Sequence, residues 1–461
     1  MKRVISLIRS YLNHELAGFI IIGTLLRIVL MPYFIWPYDA SAYQTSLTYF
    51  MNGYDPYALH ASIYPPLMHF ITFPLFRLAY QLGLSFDFHT ILEALSRINV
   101  EGPVAFCQIS PLFLVLWKMP ILCFDLLTGI LIYCFVKELV SDTRMPKRCF
   151  LIWFFNPFTL ILSYLHGSYD VAVAFFILLG AFFLYKNSFL SAGLAFGLGT
   201  LAKTSPIYVA LPLAAVLLFK RVMGSSRILW PKTNIRTFLR FSLGCIVPLA
   251  CFAPLIVEYM NLMTSGISKE IAITGGMNQW FFAADPHRVD WINLHIGTIQ
   301  AVFSYYPAIV LAIAVLFSIF LKSGRKKLLL LTAFFTNLIY FFLPITLQPQ
   351  YLLWILPLFV VFLSLSNRFL WPLIIYSVAG LIFYFSLQGP QIFLYPLATY
   401  THLYPLDQLV TSVASYVNLP GLFSQNLRQD LCTVSGGLGF LGQLLTAILL
   451  IKSLWVAKDE E

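Results

Sequence analysis

The sequence predicts an all-α, polytopic membrane bundle of about twelve transmembrane helices, with interfacial helices in its first outer loop. Composition carries this prediction, since 59% of the 461 residues are apolar and only 10% are charged. A soluble domain carries about 25% charged residues, so this chain could not cover a water-exposed surface. The same figures exclude a disordered chain and a coiled coil. They also exclude a nucleic-acid-binding protein, despite the net charge of +10.

Apolar stretches of roughly the length that crosses a hydrocarbon core, about 20 residues, recur along the chain. The predicted spans lie near 16–35, 111–136, 150–166, 169–186, 189–203, 205–220, 237–257, 299–321, 328–345, 351–365, 370–386 and 434–452. Several of them are short and are joined by tight turns. We therefore expect residues 1–461 to form a single integral membrane domain.

The distribution of lysine and arginine orients the bundle, because cytoplasmic loops retain positive charges. With both termini in the cytosol, the basic clusters within 137–149, 220–240 and 322–327 all lie on the inner side. Residues 64–82 are apolar enough to cross the membrane, but a span there would carry the first of these clusters to the outside. The sequence therefore predicts an interfacial or re-entrant helix over 64–82.

The connections on the outer side are long, whereas those on the inner side are short. The outer segments are 36–110, which is the first outer loop, and the further loops 258–298 and 387–433. A secondary transporter usually shows paired halves, and no second copy of the first half is present here. The chain also contains no Walker loop, GxGxxG or HExxH motif. The asymmetry favours chemistry at the outer membrane boundary, on a lipid that enters sideways.

The first outer loop holds an aspartate, Asp39, directly after the opening span and a proline. An aspartate in this position is commonly a helix N-cap. The alternative interpretation is a general base at the membrane surface. Tyr43 follows closely, Asp55 lies within Gly-Tyr-Asp-Pro-Tyr, and Tyr64 opens Tyr-Pro-Pro-Leu.

A second polar cluster, His166-Gly167-Ser168-Tyr169-Asp170, lies at an outer turn between two spans. An ionisable residue at the edge of a span is costly unless it is paired or functional. The turn is therefore either a solvated loop or a binding site for donor or acceptor that faces the first loop.

A third outer turn ends in Lys203, which has no basic neighbour in the sequence. Such a lysine can snorkel to the interface, or it can neutralise a phosphate as a point charge. Lys118, early in the second span, and Arg77 are the alternatives for the phosphate. The fourth stretch contains Gln350 and Tyr351, whose amide and hydroxyl could bind substrate, although aromatic residues there are also typical of an interface belt.

Together these stretches resemble the GT-C class of membrane glycosyltransferases, which use polyprenyl-phosphate sugars. The resembling stretches are Asp39, Gly53 to Tyr57, Tyr64 to Leu67, Asn156-Pro157, Gly167 to Asp170, Gly197 to Lys203, and Pro349 to Tyr351. The resemblance implies a helical bundle with two short helices along the outer surface and a lipid-linked sugar donor. It also implies an acidic residue of the first outer loop at the active site, a role that carries over to Asp39.

The chain departs from the family pattern at position 41, where a serine replaces the second member of an acidic pair. We therefore predict no metal ligands and no cofactor, and the sequence does not indicate a divalent metal. Within the class, the chain is most similar to mannosyltransferases that depend on polyprenyl-phosphate mannose.

The resulting hypothesis is an inverting hexosyltransferase, with mannose as the sugar, that acts on the extracytoplasmic face. Asp39 would deprotonate the acceptor, and Lys203, or alternatively Lys118 or Arg77, would stabilise the departing phosphate. The predicted substrate contacts are Tyr43, Asp55, Tyr64, His166, Asp170, Gln350 and Tyr351. The acceptor is a glycolipid, a glycan or a protein. The membrane is the plasma membrane in a prokaryote and the endoplasmic reticulum in a eukaryote.

Two other functions stay open at this point. The first is a multi-pass lipid or solute transporter, which requires buried charges in mid-span. Asp125, near the middle of the second span, is the candidate for such a charge. The second is a non-catalytic assembly subunit, which would need no donor site.

Overall fold

The structure is a computed structural model, and it describes most of the apolar stretches of the chain. The described residues are 14–36, 43, 46–47, 49–54, 65–84, 89–90, 107–108, 110–219, 232–264, 309, 312–317, 325–342, 349–387, 395–397, 400–401, 403 and 425–456.

Helices dominate the described residues. In chain order the α-helices are α1 (His14–Leu30), α2 (Leu67–Gln81), α3 (Pro111–Leu139), α4 (Met145–Phe154), α5 (Pro157–Leu160), α6 (Asp170–Tyr185), α7 (Phe189–Ala202), α8 (Ser205–Phe219), α9 (Lys232–Cys251), α10 (Ala253–Thr264), α11 (Arg325–Phe342), α12 (Leu356–Leu363), α13 (Leu370–Leu387) and α14 (Gln425–Val456). A π-helix (Ile161–His166) continues α5, and 3₁₀ turns span Pro349–Trp354 and Asn367–Phe369.

The predicted integral membrane class is confirmed, whereas the predicted number of spans is not. Among the residues that the structure describes, three helical stretches are long and apolar enough to cross a membrane: Pro111–Leu139, Asn367–Ser386 and Gly437–Val456. Two bent helix pairs, α4 with α5 and its π-helix, and α9 with α10, raise this number to five if each is one span. Other apolar helices are shorter. The 14 residues of α7 extend over only about 21 Å, against a hydrocarbon core of about 30 Å.

The centre of the bundle is formed by α6 and α12. All eight residues of α12 are buried, and most of α6 is buried against α3 and α7. On its other side α7 packs closely on α9. A Cβ added at Gly193 would lie 2.0 Å from the carbonyl oxygen of Phe241, and one at Gly244 would lie 2.3 Å from that of Leu190. Only glycine permits this backbone approach, which is typical of helix pairs in membranes.

The first outer loop contains the helix that the sequence predicts over 64–82, now bounded as α2. Its buried face includes Met68, His69 and Phe76, while Arg77 lies on the exposed face. Two strands of two residues each follow α2 in the sequence, β1 (His89–Thr90) and β2 (Cys107–Gln108). They pair in the antiparallel direction, with His89 opposite Gln108. The interfacial or re-entrant position of α2 relative to the membrane stays a prediction.

A fully buried ion pair joins α1 to α3. Arg27 Nε donates to Asp125 Oδ2 at 2.8 Å, and both side chains have no exposed surface. The remaining Arg27 nitrogens donate to the backbone carbonyls of Gly23 and Phe154, at 3.0 and 2.7 Å. Trp153 and Tyr164 donate to the two carboxylate oxygens of Asp125 at 2.9 Å each. Buried charges are tolerated when their hydrogen-bonding groups are satisfied in this way.

Candidate active site

Two oppositely charged side chains meet at one end of the α6–α7 hairpin. Asp170 opens α6, and Lys203 caps the carboxyl end of α7. The turn at 186–188 reverses the chain, so the start of α6 lies beside the end of α7. Each charge is also stabilised by the dipole of its own helix, since acidic groups are favoured at helix N-termini and basic groups at C-termini. The local fold therefore creates the pair.

The Asp170 carboxylate is held by three donors and is only 1% exposed. Lys203 Nζ lies 2.9 Å from Oδ1 and 3.1 Å from Oδ2. Ser168 Oγ donates to Oδ2 at 2.5 Å, and Trp354 Nε1 donates to Oδ1 at 2.7 Å. Charge-assisted hydrogen bonds of this kind fix a carboxylate in one orientation. Asp170 is therefore rigidly placed, and it fixes Lys203 in turn.

Aromatic rings surround the Lys203 ammonium group. Its Nζ lies 4.1 Å from the ring centroid of Tyr351 and 5.6 Å from that of Trp354. These two rings stack on each other at 4.7 Å within the 3₁₀ turn Pro349–Trp354. The Tyr169 ring lies 5.8 Å from Nζ. The rings attract the cation, and the Lys203 side chain, 16% exposed, reaches the edge of the buried cluster.

The turn that carries His166 is buried, not solvated. The π-helix ends at His166, and Gly167 follows with a φ of +85°. A Cβ at Gly167 would lie 3.2 Å from Lys118 Cε, so both conformation and space favour glycine. The His166 ring lies parallel to that of Trp36, with centroids 6.2 Å apart, and 5.6 Å from that of Tyr384. Single-turn π-helices are often found at functional sites.

Tyr43, from the first outer loop, packs against the same turn. Its ring stacks on that of Trp117 at 4.0 Å and lies 5.8 Å from that of Tyr169. Trp117 Nε1 donates to the carbonyl of Gly167 at 3.1 Å. An aromatic wall thus connects the first loop with the His166–Asp170 turn.

Gln350 lies in the same 3₁₀ turn as Tyr351 and is 7% exposed. Its amide oxygen, Oε1, accepts no hydrogen bond from the residues that the structure describes. A buried amide oxygen without a donor is costly, by about 1–3 kcal/mol. Gln350 is therefore ready to accept a hydrogen bond from a bound hydroxyl group.

The two alternative cations for the phosphate are placed differently from Lys203. The three protons of the buried Lys118 ammonium group have three backbone acceptors: the carbonyls of Met31, at 3.0 Å, Phe34, and Tyr164, at 2.8 Å. Lys118 thereby ties the end of α1 to the π-helix. Arg77 lies on the exposed side of α2 and forms no ion pair with any described residue of the cluster. Their proposed phosphate role stays a prediction.

Three predicted site residues lie outside the described residues. They are the candidate base Asp39 and the substrate contacts Asp55 and Tyr64. Nearly all of the outer segments 258–298 and 387–433 also lie outside. The structure thus brings together Tyr43, His166, Asp170, Lys203, Gln350 and Tyr351, and the position of Asp39 relative to them stays a prediction.

The sequence analysis did not assign roles to Ser168 and Trp354, which both donate to Asp170. Trp354 is buried, so it is not a residue of an interface belt. A signal was present for each. Ser168 lies two residues before the aspartate, where a hydroxyl can reach the N-terminus of the next helix. Trp354 lies three residues after Tyr351, and residues at this spacing share one face of a 3₁₀ turn.

No cluster of three metal-ligating side chains occurs among the residues that the structure describes. Asp170 and His166 flank the same turn, but the carboxylate is already occupied by three protein donors. Whether Asp39 contributes to a metal site is not addressed by these residues.

The described residues thus form an apolar helical bundle with a buried acid, a lysine and an aromatic wall at one end. Two curated relatives make the likeness specific. The chain is 26% identical over 182 residues to GPI mannosyltransferase 1 of Kluyveromyces lactis. This aligned region covers 39% of this chain and 36% of the relative. It is 28% identical over 138 residues to GPI mannosyltransferase 1 of Saccharomyces cerevisiae, which covers 29% of this chain and 32% of the relative.

These matches confirm the resemblance to mannosyltransferase-like membrane glycosyltransferases that the sequence motifs predict. The chain spans about a third of the length of the curated relatives it matches. No family model matches the chain. No solved structure matches it.

Proposed function

We propose that the protein is a mannosyltransferase that moves mannose from a polyprenyl-phosphate donor to a glycolipid acceptor, with inversion at the anomeric carbon. The relatives named GPI mannosyltransferase 1 support the sugar and a lipid-linked acceptor. The polyprenyl-phosphate donor comes from the motif resemblance. Glycan and protein acceptors are the alternatives that the sequence analysis leaves open.

The observation that carries the proposal is the convergence of four separate stretches. Tyr43, the His166–Asp170 turn, Lys203 and the Gln350–Tyr351 turn come from distant parts of the chain and meet in one cluster. The sequence analysis selects these stretches for their resemblance to one enzyme class, without knowledge of their contacts. A common position is expected if they serve one site.

Lys203 is the residue best placed to meet the donor phosphate. An ammonium group beside a departing phosphate neutralises the charge that develops on it. Asp170 already neutralises part of the lysine charge, and it acts here as a positioning residue. The aromatic platform of Tyr351 and Trp354 limits the directions in which the ammonium group can move. Lys118 and Arg77 remain alternatives for this role.

The acceptor and sugar contacts follow from the same arrangement. Sugar hydroxyls need acceptors, and Gln350 Oε1 supplies one that is buried. His166 and Tyr43 would form the wall against which the substrate packs, together with Asp55 and Tyr64 of the first loop. Asp39 would remove the proton from the attacking hydroxyl, because direct displacement requires one base positioned behind the anomeric carbon. No cofactor or metal is part of this proposal.

The membrane arrangement is part of the proposal. Twelve spans with both termini in the cytosol would place the cluster on the extracytoplasmic side, as the distribution of basic residues predicts. The groove between spans would hold the prenyl chain. The transporter alternative depends on a buried charge, Asp125. Its carboxylate accepts hydrogen bonds from Arg27, Trp153 and Tyr164. That network is a structural tie and supports no transport pathway.

The test is a transfer assay with an Asp39 variant. Purified protein is incubated with radiolabelled polyprenyl-phosphate mannose and extracted membrane lipids, and transfer into a new lipid is followed by chromatography. We expect Asp39→Asn to lose about 10²–10⁴-fold in rate, the usual contribution of a general base, with unchanged expression. Asp87→Asn, from the same loop and without a proposed role in the site, is the matched control. A near-normal rate for the Asp39 variant would remove Asp39 from the base role.

A further inference from the structure

A second concave surface lies at the other end of the bundle from Asp170 and Lys203. We call it the basic groove. It is a cavity of about 1310 Å³ lined by α1, by the start of α4 and by α13. Its basic rim lies at Arg144–Arg148, and its far end at Asn156 and Pro157. The groove therefore lies along α4, before the break at Asn156 and Pro157. After the break the chain continues through α5 and the π-helix to His166, so the candidate active site lies at the opposite end of this bent pair of helices.

The rim of the basic groove is positively charged. Arg144 and Arg148 are both exposed, and no described acidic side chain forms an ion pair with either. The nearby Asp142 accepts a hydrogen bond from the Arg144 backbone at 2.9 Å. Lys147 Nζ lies 5.5 Å from the ring centroid of Phe19, at the same rim. Two exposed arginines, four residues apart in the sequence, therefore line the cavity at this rim.

The walls of the groove are apolar, and their extent matches one lipid leaflet. Phe19 and Ile22 form one side, and Leu370, Ile374 and Leu381, one or two helical turns apart on α13, form the other. Ile22 and Ile374 are exposed in the structure. The ten residues of α4 rise about 15 Å, which is half of a hydrocarbon core of about 30 Å. The groove ends where Asn156 Nδ2 donates to Ser377 Oγ at 3.2 Å.

We propose that the basic groove binds an anionic glycerophospholipid, with its phosphate on Arg144 and Arg148 and its acyl chains along α1 and α13. Charge complementarity selects this occupant, because a zwitterionic lipid would bring its own cation to the arginine pair. A guanidinium group also commonly donates two parallel hydrogen bonds to the oxygens of one phosphate. The distribution of basic residues places this lipid in the cytosolic leaflet, away from the proposed transfer chemistry. Lipid binding in the groove does not depend on the proposed transfer activity, whereas its leaflet follows from the membrane arrangement proposed above.

The experiment measures which lipids stay bound. Protein is reconstituted in nanodiscs of equal phosphatidylglycerol and phosphatidylcholine, released, and analysed by native mass spectrometry. We expect phosphatidylglycerol to be enriched over its share of the bilayer. Arg144→Gln with Arg148→Gln should reduce that enrichment roughly 25-fold, since each basic residue near an anionic headgroup contributes a factor of about five.

Two further variants separate the groove from a general charge effect. Arg236→Gln with Arg240→Gln removes the same charge at the same spacing from exposed positions on α9 outside the groove, and it should retain the wild-type enrichment. Ile374→Trp keeps the arginines but narrows the groove between α1 and α13, and it should reduce the amount of bound lipid. Absent enrichment in the wild type, an equal loss in the α9 variant, or an unchanged enrichment in the Ile374 variant would each overturn the proposal. So would native spectra in which a second copy of the chain, not lipid, covers the groove.

Discussion

Two ion pairs with a buried carboxylate occur in the part of the chain that the structure describes, and they differ in what surrounds them. Arg27 and Asp125 have no exposed surface, and every polar atom of the pair is bound within the bundle. Lys203 and Asp170 lie at helix ends, and the lysine is partly exposed beneath two aromatic rings. The first pair therefore ties helices together. The second keeps a cation at the edge of a cluster where a substrate could reach it.

The largest expected effect comes from breaking the sealed pair. Arg27→Met leaves the Asp125 carboxylate buried without its cation, which typically costs about 3–5 kcal/mol. We expect a sharp fall in the yield of folded protein and in the thermal unfolding midpoint, measured in detergent by size-exclusion chromatography and fluorescence.

Two controls test that explanation. Arg27→Met combined with Asp125→Leu removes both charges and should recover most of the stability. Lys186→Met removes the cation of the exposed pair with Glu138, which is 2.7 Å long, and should cost about 1 kcal/mol or less. A single Arg27 variant as stable as the Lys186 variant would contradict the structural role.

The partly exposed pair should show the opposite pattern, and this prediction depends on the proposed activity. Lys203→Gln should lower kcat by roughly 10²-fold, about 2.7 kcal/mol, because the departing phosphate loses its cation. Stability should change less than in the Arg27 variant. The measurement is transfer from polyprenyl-phosphate mannose, with kcat and KM determined separately.

Asp170→Asn tests the positioning role in the same assay. We expect kcat to fall while the protein still folds, because Trp354 can donate to the amide oxygen and the Ser168 hydroxyl can accept a hydrogen bond from the amide nitrogen. A rate near wild type for the Lys203 variant would transfer the phosphate role to Lys118 or Arg77. A loss of folding equal to that of Arg27→Met would make the second pair structural as well.

The difference between the two pairs also shows what the sequence could predict. The Asp170–Lys203 contact follows from local rules, since a helical hairpin of known length brings its two ends together. The Trp354 contact joins residues 184 positions apart and depends on how α12 packs against α6. The same is true of Lys118, whose three acceptors come from two distant stretches. Sequence periodicity contains no information on which distant helix faces which.

The sequence predicted the positions of several helices well. It did not predict which of these helices are long enough to cross the membrane. The apolar stretches placed α3, α6, α7, α8 and α13 within a few residues of their observed bounds. It could not anticipate that 150–166 bends by 42° at Asn156-Pro157. Asn156 caps the second segment, and Pro157 cannot continue the first, so the break follows from local chemistry. Counting spans requires more than apolar length.

A buried titratable group outside both pairs sharpens the comparison, because it carries no charge near neutral pH. His69 lies on the buried face of α2, and burial lowers the pKa of its imidazole to about 4. In the unfolded chain the same group titrates near pH 6.5. The unfolded state therefore binds the proton first as the pH falls. Stability should be complete above about pH 6.5 and should decrease between about pH 6.5 and pH 4.

At about pH 5 this difference corresponds to a loss of about 2 kcal/mol relative to pH 7.5. Thermal unfolding of the wild type and of His69→Phe, at both pH values, checks it. The variant has no group to titrate at this position, so the part of the pH dependence that belongs to His69 should disappear. Equal pH dependence in both proteins would mean that α2 opens without unfolding, or that His69 is reached by water in the membrane.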